Sequence, residues 1–164
     1  MKDTLQEAKD EMYKTLDNEG ATCPCCKQFV KSYRRKVTSA MAYALIIIHK
    51  NNPRDKYVDG VAQPNSFHLQ DEAIRLKLNS RIVADFAKLR FWGLIVQLKG
   101  VRDDGSSRNG KYYITDKGIK FINKQKMIVK YMHVYNNKSY KSSGKIVGII
   151  DCLGSKFNYN EIMS

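Results

Sequence analysis

The stretch FWGLIVQLKGVRDDGSSRNGKYYITDKG, residues 91–118, decides how the chain is read. Gly93 follows a run with helical spacing and is placed to end it, because glycine takes the left-handed backbone of a helix C-terminus without steric cost. Leu94, Val96 and Leu98 then alternate with Ile95, Gln97 and Lys99, the period of a half-buried strand, and Tyr112 and Ile114 repeat that period on the return. Between them RDDGSSRNG, residues 102–110, is too long for a tight hairpin and too polar to be buried, so it is expected to project as a flap. Thr115 or Asp116 caps a further helix, with Ile119 and Ile122 facing inward.

Working outward, residues 32–51, SYRRKVTSAMAYALIIIHKN, are read as one helix, apolar on nearly every side from Val37 to Ile48 and therefore the centre of the core. Residues 53–64 are loop by their Pro, Gly and Asp content, with Tyr57 and Val58 at most a short strand. Residues 69–78 carry Ala73, Ile74 and Leu78 on a second, shorter helix. Asn79 and Ser80 are good caps for a third, which runs to Trp92 with Ile82, Val83, Phe86 and Leu89 on one face. Near the start, Leu5, Ala8, Met12 and Leu16 form one narrow apolar stripe over residues 3–17, a helix that must lie on this domain or on a second copy. Residues 127–135 and 145–151 read as two strands around the polar loop NNKSYKSSG, and LGSKFNYNEIM closes with a helix. The expectation is an α+β chain in three segments: an amphipathic helix with a Cys-rich loop (1–31), a helical domain with the flap (32–124), and a hairpin with a tail (125–164).

Charge narrows the partners. The 164 residues hold 29 Lys and Arg against 16 Asp and Glu, a formal +13, while residues 1–20 alone are acidic. The positive excess therefore lies beyond residue 20, where its field attracts polyanions, nucleic acid foremost. The plainer reading is a solvated basic surface that aids solubility. No run of eighteen apolar residues exists, and the acidic start MKDTLQEAKDE has the character of neither a signal nor a transit peptide, so a cytoplasmic protein is expected.

Helix, helix, helix, strand, flap, strand, helix is the layout of a winged helix-turn-helix. LRFWGLI, then a polar wing, then GKYYITDKGIKFI, is similar to the "L..GLI … Y.LT..G" pattern of MarR-like and PadR-like regulators, over roughly residues 37–124. Residues 51–68 are longer than usual for that family. The resemblance implies double-stranded DNA as partner, a third helix lying in the major groove, and a homodimer made by the flanking segments. On that helix the outward face is Lys77, Ser80, Arg81, Ala84 and Lys88; the alternative is that Arg81 and Lys88 pair with Asp85. The wing adds Arg102, Arg108 and Lys111, of which Arg108 and Lys111 lie away from the repelling Asp103 and Asp104. Arg34 and Arg35 in YRRK either open the long helix, where the helix dipole disfavours cations and a phosphate would relieve them, or precede a helix that begins near Thr38.

Cys23 and Cys26 in TCPCCKQ have the CxxC spacing of a zinc knuckle, but the other donors, Cys25, Cys152, His49, His68 and His133, are scattered singly. Zinc is the metal such a pair takes; reduced structural thiols are the alternative, and a thioredoxin-like redox pair lacks its βαβ setting. No Walker loop, GxSxG or HExxH is present, so no enzyme is expected. The sequence reading is a DNA-binding regulator acting by site occupancy, the rival being a small phage-like effector that grips a host protein or nucleoprotein complex.

Overall fold

The run SAMAYALIIIHKN forms helix α2, Ser39–Asn51, begun by Thr38, whose hydroxyl accepts the Met41 backbone N–H. In this computed structural model, which describes residues 4–52, 56–58, 61–63, 65–100, 103–105 and 109–164, α2 buries Met41, Ala42, Ala44, Leu45, Ile46 and Ile48. The helix expected from residue 32 is thus corrected. Tyr33–Lys36 form strand β3, antiparallel to β9, Ile128–Tyr135, with Tyr33 opposite Val134 and Lys36 opposite Tyr131. Three cations at a helix start oppose the dipole, whereas β9 offers the same backbone an antiparallel partner along one edge. The chain is α+β and divides into two compact units, Met1–Lys36 with Tyr131–Gly144, and Val37–Lys130 with Lys145–Ser164.

In the second unit α2 packs against α4 (Ser80–Phe86), α5 (Asp116–Ile122), α6 (Ile149–Leu153) and α7 (Tyr159–Met163). The third expected helix changes character midway, α4 passing into a 3-10 turn over Ala87–Trp92 that Gly93 ends at φ 71°. Of the expected apolar face Phe86 and Leu89 are buried, as is Trp92 beyond them, while Ile82 and Val83 are only half-buried. Strand β7, Ile95–Gln97, carries its buried side chain at Ile95, with Val96 outward, so the alternation is shifted one residue from the sequence expectation. Gly93 and Leu94 use up the position that the pattern had assigned to the strand's start. Strand β8, Lys111–Ile114, buries Tyr112 and Ile114 and pairs on both sides, with β7 and with β6, Phe67–His68, giving the order β6-β8-β7. Helix α3, Leu69–Arg75, buries Leu69 and Ala73 but leaves Ile74 70% exposed. The short strand expected at Tyr57 and Val58 is β4, Lys56–Val58, paired with β5, Val61–Gln63.

In the first unit α1, Leu5–Thr15, starts with a reciprocal capping box between Thr4 and Glu7. Ala8 and Leu16 of its stripe are buried, while Leu5 stays exposed. Two short strands follow, β1 (Ala21–Thr22) and β2 (Phe29–Val30). The polar stretch after β9 is not a loop. Asn136 and Asn137 take φ of 47° and 61°, the pair of left-handed residues a two-residue hairpin turn needs, and β10 begins at Lys138 and runs to Val147. It is an edge strand of the sheet β10-β9-β3, exposed along most of its length, and its Lys138, Lys141 and Lys145 suit an edge that must not pair further. The second strand expected over residues 145–151 ends at Val147, and Ile149–Leu153 turn into α6.

Asp17, just past α1, ties this unit together. Its carboxylate accepts from Lys141 Nζ at 2.6 Å, from the Tyr140 hydroxyl, and from Ser32 Oγ at 2.9 Å. Lys141 first, then Tyr140, holds the carboxyl well below the usual carboxylate range. A depressed folded-state pKa adds stability that is complete above the ordinary carboxylate value and is lost as pH falls below it. Urea titrations at pH 6 and at stepwise lower pH should show the chain losing stability as acid is added, and Asp17→Asn should flatten that dependence.

Among the described residues, no helix is long and apolar enough to cross a membrane. Gly118 marks the tightest backbone approach in the second unit: a Cβ there would lie 2.2 Å from the Leu94 carbonyl oxygen and 2.7 Å from Ile114 Cγ2. Since neither backbone nor a packed β-branched side chain yields cheaply, Gly118→Ala should cost about 3 kcal/mol, read as a lowered urea midpoint with the fluorescence of Trp92 as reporter.

Candidate nucleic-acid interface

Two helices joined by a four-residue turn carry most of the expected contacts. Helix α3 ends in a Schellman motif, with the Lys77 N–H donating to the Ile74 carbonyl at 3.2 Å and the Leu78 N–H to the Ala73 carbonyl at 2.8 Å. Lys77 is the left-handed residue of that motif, at φ 53°, where glycine is usual. Asn79 then caps α4, its side chain accepting the Arg81 N–H at 2.9 Å. With Phe86 and Leu89 turned inward, Lys77, Ser80, Arg81 and Ala84 are all exposed. The sequence placed these four on one outward face, and all four are accessible.

Lys88 differs. It is half-buried and ion-paired with Asp85, one of the two pairings that the rival reading of this face required. Among the described residues Arg81 makes no such pair, so its guanidinium stays available. Arg90 is turned back onto the protein, donating to the Ala87 carbonyl at 2.8 Å and lying 4.6 Å over the Phe91 ring.

At the wing, Lys111 is exposed at the start of β8, paired in register with His68. The root of the wing is fixed by the Leu69 N–H, which donates to the Gly110 carbonyl at 3.0 Å, and by Gly110 itself, whose φ of 70° and contact with the His68 ring leave no room for a side chain. Asp103, Asp104 and Gly105 form an exposed turn. Arg102 and Arg108, the other wing cations, lie outside the described residues.

Arg34 and Arg35 belong to the first unit and are not at a helix start. They are neighbours on β3, so their side chains leave opposite faces of the sheet. Arg34 lies 4.4 Å over the Tyr131 ring and Arg35 5.2 Å over Tyr33, cation–π contacts the sequence did not announce. The phosphate site expected from joint use of the two is corrected accordingly. His133, also on β9, has Nε2 2.7 Å from Ser143 Oγ and Nδ1 3.8 Å from Asp17 Oδ1. The second distance exceeds a hydrogen bond, and Asp17 is already engaged by three other donors, so this trio holds the hairpin rather than activating a nucleophile.

The cysteines separate into two kinds. Cys152 is in the second unit, where burial first and Asp151 second push its thiol up to about 11. Cys23, Cys25 and Cys26 share the turn between β1 and β2, and the backbone N–H groups of Cys26 and Cys25 lower the Cys23 pKa by donating to its sulfur. Among the described residues no group of three or more His, Cys, Asp or Glu could hold a metal ion within one chain.

Comparison with protein-family models, with curated proteins and with solved structures finds no match to this chain. The turn between α3 and α4 makes its own prediction. A lysine at φ 53° bears a strain that glycine lacks, so Lys77→Gly should hold or raise stability by up to about 1 kcal/mol while removing one exposed charge, measured as the urea midpoint.

Proposed function

We propose that the protein binds double-stranded DNA through a winged helix-turn-helix, α4 lying in the major groove and the wing beside it, and regulates transcription or another DNA transaction by occupying its site. The observation that carries the reading is the topology of the second unit. The order α2, β4, β5, β6, α3, α4, β7, β8, with β8 central in the sheet β6-β8-β7 and β6 lying between the first two helices, supports a winged-helix reading. Support also comes from the exposed face of α4, where small side chains at Ser80 and Ala84 flank the exposed Arg81, which has no ion pair among the described residues, and permit close approach to a groove. The formal +13 supplies the long-range attraction.

The pairing of Lys88 with Asp85 gives the proposal a directional test. Arg81→Ala and Lys111→Ala should each reduce the slope of log affinity against log salt by about 0.9 if the side chain meets a phosphate. Lys88→Ala should do less, because that charge is already neutralised, and Asp85→Asn should strengthen duplex binding by removing an anion and freeing Lys88. Fluorescence anisotropy with a random duplex over a salt series reads all four. Retention that is insensitive to salt and unchanged in Arg81→Ala would shift the function to a protein partner.

A further inference from the structure

Strand β3 ends the sheet β10-β9-β3, and among the described residues no strand pairs with its outer edge. That edge is cationic without relief. Lys31, Arg34, Arg35 and Lys36 fall close together, and neither residues 20–54 nor residues 117–150, which between them include all three strands, contain an Asp or Glu. Asp17 does reach the sheet, but it is committed to Lys141, Tyr140 and Ser32. Among the described residues Arg34, Arg35 and Lys36 make no ion pair. Aromatic rings lie among these charges. Register sets Arg34 opposite His133 and Lys36 opposite Tyr131, so the four share one face, where Arg34 lies over the Tyr131 ring. Tyr33 and Arg35 share the other face; the Tyr33 ring has a guanidinium over it and is still 54% exposed.

We propose that the β3 edge binds single-stranded nucleic acid, Arg34 and Lys36 meeting its phosphates and Tyr33 stacking on a base. A guanidinium laid on a ring keeps its charge and its outer plane for a ligand. Because β3 is an edge, a polymer lying along it borders both faces of the sheet. A second copy of this edge would be repelled by its like charge. An acidic peptide would match the charge but has no use for the exposed ring. A duplex keeps its bases stacked inside, whereas a single strand offers phosphates to the cations and open base faces to aromatic rings. The companion of Arg34 is thus Lys36 on its own face, not Arg35 across the sheet. These residues belong to the first unit, and the proposal is independent of the duplex reading, which rests on α4 and the wing.

Fluorescence anisotropy of the full chain with a labelled oligothymidylate, over a salt series, separates the two kinds of contact. Arg34→Ala and Lys36→Ala should each reduce the slope of log affinity against log salt by about 0.7. Tyr33→Leu should weaken binding about tenfold at every salt concentration and leave the slope as it was. Lys138→Ala, on the opposite edge of the sheet, and Arg81→Ala, in the other unit, should alter neither quantity. Because a variant could misfold, the unsubstituted chain is also tested by competition. Unlabelled oligouridine should displace the probe about as well as oligothymidylate, since stacking and phosphate contacts are common to both, and polyglutamate of equal charge should displace it far less. Polyglutamate competing equally, binding of only one of the two oligonucleotides, undiminished affinity in Tyr33→Leu, or slopes unchanged in both charge variants would overturn the proposal.

Discussion

Three residues, Trp92, Gly93 and Leu94, form the joint on which the second unit depends. The Trp92 indole N–H donates to the Val129 carbonyl at 2.8 Å, and Lys117 Nζ to the Trp92 carbonyl at 2.7 Å. The Thr115 hydroxyl donates to the Gly93 carbonyl at 2.6 Å, and the Thr115 N–H to the Leu94 carbonyl at 3.0 Å. The carbonyls of Trp92, Gly93 and Leu94 are thereby taken by the start of α5, a helix that can come so close only because residue 118 has no side chain. One compact joint thus fixes the end of the α4 region, the start of β7 and the return of β8.

That joint also explains why a polar wing is tolerated here. Its two strands are held at their roots, by Gly93 and Leu94 on one side and by Gly110 against His68 on the other, and central β8 is bonded to both neighbours. The described tip of the loop between them, Asp103–Gly105, is exposed and is free to be chosen for charge. The same division runs through α4, where Phe86 and Leu89 secure the helix and leave Ser80, Arg81 and Ala84 to the solvent.

Much of this unit was legible in the sequence because periodicity, caps and breakers agreed there. The all-round apolar α2, the Asn79 and Thr115 caps and the Gly93 stop each rest on local chemistry that tertiary packing did not override. Strand β6 escaped because two residues make no period, and its pairing with Phe67 opposite Tyr112 is long-range. In the first unit the misreadings share one cause. YRRK and NNKSYKSSG are polar segments whose extended form is dictated by β9 and by the two left-handed Asn residues, not by their own hydrophobic pattern. The ties made by Asp17, to Ser32 and across more than a hundred residues to Lys141, have no sequence signature at all.

The central claim is that α4 and the wing meet duplex DNA, and amide chemical-shift mapping tests it most directly. Adding a short duplex to the isotope-labelled chain at moderate salt should shift the amides of Lys77, Ser80, Arg81, Ala84 and Lys111, and leave those of the edge strand from Lys138 to Lys145 in place. Shifts confined to that strand, or none at duplex concentrations well above those of ordinary non-specific binding, would contradict the account.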